Sequence, residues 1–126
     1  MKDKRDQDRG SWAEQIGPCL LEVDVARLLG LSQGQVADDS GLLRLTNRDG
    51  QRVYPTFQFV PGSRRTLPFL HEVLLTLSGV LPLTAASWLS TAQTDLDGRT
   101  PVTALLEGDH APVLRLAAGV AQSLSA

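Results

Sequence analysis

One cysteine, Cys19, stands in the whole 126-residue chain. That excludes an intrachain disulfide and a thiolate metal cluster, and it agrees with a reducing compartment. Long apolar runs are missing too. None approaches the roughly 18 residues that a membrane-spanning helix needs. Residues 1–9 are mixed in charge, with no apolar stretch behind them of the kind a secretory leader carries. The expectation is a cytoplasmic protein without a membrane partner. Charge of one sign is also scarce: a net charge of −2 gives no global attraction to nucleic acid or to an anionic bilayer. A local basic patch stays open. What is present, 42% hydrophobic and 21% charged residues, describes a globular chain. It is long enough for one core, or for two small subdomains sharing an interface.

Catalytic constellations are equally thin. His71 and His110 are the two histidines, and they lack the spacing of metal ligands. A nucleophile–base pair of Cys19 with His71 has no identifiable third group. Asp38 with Asp39, and Asp95 with Asp97, lie beside expected helix ends, where capping accounts for them. The segment from Gly30 to Gly34 lacks the lysine and the spacing of a phosphate loop. An enzyme is therefore not expected, nor a metal, a cofactor or a small-molecule substrate.

Residues 1–11 have no hydrophobic period and read as a flexible tail. Trp12, Ala13 and Ile16 suggest one short helical turn, stopped by Gly17 and Pro18. From 19 to 31 the spacing of Val25, Leu28 and Leu29 predicts a helix that Gly30 ends. Ser32 then caps a second short helix over 33–38, with Val36 inward. Two short helices around Gly30-Leu31-Ser32 have the shape of a helix-turn-helix. Alternating residues on both sides of Asp49-Gly50 predict a β-hairpin, a wing in winged-helix terms. Pro55 is expected to keep its segment out of a central strand, and Phe57 and Phe59 are core candidates. Residues 61–65 read as a linker.

Past the linker, Leu67, Leu70, Val73, Leu74 and Leu77 mark one face of a long amphipathic helix running to about Ser78. Pro82 opens the next helix, with Ala85, Trp88 and Leu89 inward. Thr100 and Pro101 begin a short helix that buries Leu105 and Leu106 and ends at Gly108. A last helix, from about 109 to 124, carries Val113, Leu116, Ala117, Val120 and Leu124. The expected fold is mainly α. It comprises a tail over 1–11, a helix-turn-helix-like or winged unit with a β-hairpin over 12–62, and an antiparallel helical domain over 63–126.

The most distinctive string lies within 88–108. Trp88-Leu89, then Leu96-Asp97-Gly98-Arg99-Thr100-Pro101, then Leu105-Leu106-Glu107-Gly108 resembles the Xre/MbcA/ParS-type toxin-binding domain of bacterial antitoxins. The resemblance covers roughly residues 66 to 126. It implies a homodimeric antitoxin of a type II toxin–antitoxin pair, which binds a RES-type, NAD-degrading toxin and occludes its active site. Trp88, Leu89, Leu96, Leu105 and Leu106 read chiefly as local core, with Trp88 anchoring the loop. Partner-facing roles then fall on Asp95, Asp97, Arg99, Arg115 and Gln122, around Trp88. Arg99 leads that set, because its planar fork serves an interface or a local loop clamp equally well.

A reading from another class is a small winged or MerR-like DNA-binding regulator that binds its own operator DNA. Gln33 and Gln35 offer amides that can read adenine edges. Arg44, Arg48 and Arg52 on the hairpin, with Arg64 and Arg65 beyond, offer charge to phosphates. Against it, no Lys or Arg lies between Ser32 and Asp39, and Asp38 and Asp39 repel phosphate. A unit that has lost its basic helix serves instead as a packing or dimerisation module.

Overall fold

The structure, a computed structural model, describes residues 16–125. The expected tail and the turn around Trp12 lie outside them. Residues 19–21 are not the first turn of a helix, as their spacing suggested, but strand β1 (Cys19–Leu21). The edge of a later strand supplies partners for their backbone groups, and this outweighs a helical period that begins only at Glu22. Helix α1 (Glu22–Leu29) follows, with Glu22 and Asp24 in its first turn and Arg27 in its last, as the helix dipole favours. Gly30 ends it at φ 70°, a left-handed conformation that costs glycine little.

Helix α2 (Gln33–Ala37) opens with a reciprocal cap. The Ser32 hydroxyl accepts from Gln35 N–H, and the Gln35 side chain accepts from Ser32 N–H. Val25, Ala26 and Val36 from the two helices form a small core with Leu42, Tyr54 and Phe59.

Strands β2 (Leu45–Thr46) and β3 (Arg52–Pro55) complete a three-stranded antiparallel sheet in the order β1-β3-β2. Pro55 therefore belongs to the central strand, contrary to expectation, as its last residue opposite Cys19. The register explains how. Leu45 faces Val53 and Thr46 faces Arg52, so two residues further along Leu43 would face Pro55, which has no N–H to give. Gln58 stands in for it. Its Oε1 accepts from Leu43 N–H at 2.8 Å, and its Nε2 donates to the carbonyls of Leu43 at 2.9 Å and Pro55 at 3.1 Å. Gln58 is 0% exposed, a buried amide whose oxygen and nitrogen both have partners, as those of a peptide would.

The anticipated helix from Leu67 to Ser78 shrinks to α3 (Leu70–Thr76). Phe69 takes φ 62°, which breaks any extension toward the N-terminus, while Leu67 is buried without being helical. Helices α4 (Pro82–Leu89), α5 (Pro101–Leu106) and α6 (His110–Ser125) follow. Proline stands at the first position of α4 and of α5, and Thr100 caps α5 through Thr103 N–H. Two apolar expectations fail. Leu106 is 42% exposed because it points away from the face of α5 that buries Ala104 and Leu105, and Leu124 is 56% exposed near the end of α6.

The molecule is mainly α. One core joins Leu43, Leu45 and Val53 of the hairpin to Leu70, Leu89, Leu96, Leu105 and Val113 of the later segments. Among the described residues no helix is long and apolar enough to cross a membrane, and no group of three His, Cys, Asp or Glu is placed to hold a metal ion.

Candidate functional site

Residues 93–101 form a closed corner. A 3-10 turn (Thr94–Leu96) sinks Leu96 into the core at 1% exposure. Asp97 and Gly98 then reverse the chain at φ 58° and 81°, and Gly98 N–H donates to the Gln93 carbonyl. Arg99 closes the corner from outside. Its Nε donates to the Leu96 carbonyl at 2.9 Å, Nη1 to Glu107 at 2.8 Å and Nη2 to Asp109 at 2.7 Å. The Asp109 carboxylate, then that of Glu107, holds the guanidinium charged above its usual range. All three branches of the fork are thus engaged within the chain, tying the loop to the end of α5 and the start of α6. Asp95 and Asp97 are exposed on the corner, Arg115 and Gln122 are exposed on α6, and Trp88 is half-buried against the core.

The second candidate surface is built by α2 and the hairpin. Asn47 shapes the hairpin turn, its Oδ1 accepting from the N–H groups of Asp49 and Gln51, with Gly50 at φ 79°. An open recess of ≈ 290 Å³ lies between this turn, the end of β1 and the first residue of α2. It brings Gln33 beside Gly50, Gln51 and Arg52. The other residues expected to meet DNA are not brought there. Gln35 is occupied by its reciprocal cap with Ser32. Arg44 donates to the Ala37 carbonyl at the end of α2, and Arg44 and Arg48 line a different recess, with Leu81 and Leu83.

Two residues that composition and spacing did not single out organise this surface. Glu22, its side chain 16% exposed, accepts from the Tyr54 hydroxyl at 2.6 Å and pairs with Arg52 Nε at 3.2 Å. Gln58 sets the root of the hairpin. The only available signal for Gln58 was a lone amide between Phe57 and Phe59; Glu22 gave none, because its partners are about 30 residues away in sequence.

Burial, and then the bond to Glu22, push the Tyr54 hydroxyl up to about 12. The neutral phenol is therefore favoured by folding. This stabilisation is complete below the ordinary value of about 10 and is lost as pH rises from about 10 to 12. Tyr54 is the chain's one tyrosine, so its ionisation can be followed by ultraviolet absorbance. The folded protein should show tyrosinate appearing near pH 12. Over that window its stability should fall, relative to Tyr54→Phe, by on the order of 2 kcal/mol. A folded-state titration near pH 10 would contradict the geometry.

No family model matches the chain, and no curated protein matches it. Among solved structures, the NMR structure of Rv2175c is similar, with a TM-score of 0.70 and 27% sequence identity. The likeness covers 82% of this chain and 81% of that one.

Proposed function

We propose that this chain is a small winged-helix DNA-binding regulator, with α2 presented to the major groove and the β2–β3 hairpin laid beside it on the backbone. One observation carries the reading: the recess that sets Gln33, at the start of α2, against Arg52 on the hairpin. Recognition helices meet base edges with their N-terminal residues, and hairpin wings meet phosphates. The order β1-α1-α2-β2-β3, the left-handed Gly30 turn and the capped start of α2 all serve that presentation. Asp38 and Asp39 lie at the far end of α2, away from Gln33.

The electrostatics make this a modest binder. Arg27 is exposed on α1, Arg52 is shared with Glu22, and the net charge is −2. About two phosphate contacts per copy give a log–log salt slope of about −2. Fluorescence anisotropy on duplex DNA from the upstream region of the gene tests this. Arg52→Ala should weaken binding to every sequence alike and flatten the slope by about 1. Gln33→Ala should leave the slope alone and erase about 1–3 kcal/mol of discrimination between sequences. Absence of binding at about 50 mM salt, or affinity indifferent to salt, would remove DNA from the account.

A second reading, occlusion of a RES-type toxin by an antitoxin-like surface, draws on the rigid corner with its exposed Asp95, Asp97 and neighbouring Leu106. It carries less, because Arg99, the strongest partner-facing candidate, already has its carboxylates within the chain.

A further inference from the structure

We infer that the face formed by the hairpin and the start of α4 is where a second copy of this chain docks, across a two-fold axis. Two adjoining recesses, each of ≈ 470 Å³, run along this face and share Arg44 at their junction. One recess extends to Asp39 and Leu75, and the other to Arg48, Leu81 and Leu83. Leu75, Leu81 and Leu83 are 57%, 74% and 46% exposed. Three large leucines gathered on one strip are more than the scattered apolar residues of an ordinary surface.

The charges identify the occupant. The strip carries an acid with Leu75 toward one end, and a base with Leu81 and Leu83 toward the other. A two-fold axis through its middle sets Asp39 of each copy against Arg48 of the other, and lays the leucine of one end on those of the opposite end. Such self-complementarity is what an isologous interface requires. Arg44 lies at the junction of the two recesses, its guanidinium donating to the Ala37 carbonyl of its own chain. Arg48 has no carboxylate partner among the described residues, which leaves it available. Several residues lining the two recesses, Leu43 and Leu77 among them, already belong to the core, so the exposed strip is small and the dimer should be reversible.

Sedimentation equilibrium of the full chain tests this without DNA, and so independently of the function proposed above. The chain should pass from monomer to dimer below about 500 µM. Leu81→Asp should raise the dissociation constant at least about tenfold, and so should Asp39→Arg. The double variant Asp39→Arg with Arg48→Asp should recover the dimer. Asp39 also accepts from Gly41 N–H at 2.8 Å. A purely local effect of losing that bond would persist in the double variant, whereas the cross-axis pair is rebuilt there. A monomer at every concentration, a dimer unmoved by the single variants, or a double variant that fails to recover would each overturn the proposal.

Discussion

Gln58→Leu should lower the free energy of unfolding by about 3–5 kcal/mol and the melting temperature by on the order of 15 °C. The side chain keeps its volume, so the loss is not a cavity. It comes from backbone groups that the Gln58 side chain satisfies, Leu43 N–H and the Leu43 carbonyl, together with its bond to the Pro55 carbonyl. Each buried orphan costs about 1–3 kcal/mol, and part of that is recovered by relaxation. The cause can be isolated. If Gln58 replaces a donor that Pro55 lacks, then Pro55→Ala placed in the Gln58→Leu background should restore part of the loss, since alanine brings an N–H opposite Leu43. Urea denaturation of the four proteins gives the coupling directly. A Gln58→Leu loss under about 1 kcal/mol, or no coupling to Pro55, would refute the substitution of side-chain amide for peptide.

Leu96→Ala should cost about 3–4 kcal/mol, because a leucine at 1% exposure leaves a cavity when truncated. Asp95→Ala, one residue away and exposed, should change stability by less than about 0.5 kcal/mol. The contrast separates two jobs within one short string. Leu96 and the fork of Arg99 hold the corner to its own chain, while Asp95 and Asp97 stay exposed on it. A Leu96→Ala protein as stable as the parent would mean that the corner is detached from the core.

Much of the local geometry was legible in the residues themselves. Gly30 before Ser32, Asp49-Gly50 in the hairpin, and Thr100-Pro101 opening α5 each act through their own backbone preferences, and each stands where those preferences put it. What could not be read depends on distant partners. Residues 19–21 become a strand only because β3 passes alongside, and Pro55 enters the central strand only because Gln58 reaches back to Leu43. The long helix was cut short by a left-handed Phe69, a choice that no propensity favours. Helical spacing also could not say which of Leu105 and Leu106 faces inward.

The candidate site follows the same division. Gln33 and Arg52 meet at one recess, while Gln35 is drawn into a cap, and Arg44 and Arg48 border another face. The fork of Arg99 suits a partner contact or a loop clamp equally, and its bonds within the chain are those of a clamp. These outcomes turn on which neighbour arrives, and charge type alone does not specify that.

The hairpin's inward residues, Leu43, Leu45 and Val53, lie in the same core as Val113 of the final helix. The hairpin and the final helix are therefore bound to a common fate. A recombination that replaced residues 63–126 with an unrelated helical module would strip the hairpin of its apolar backing and unseat the turn that Arg52 and Gly50 present.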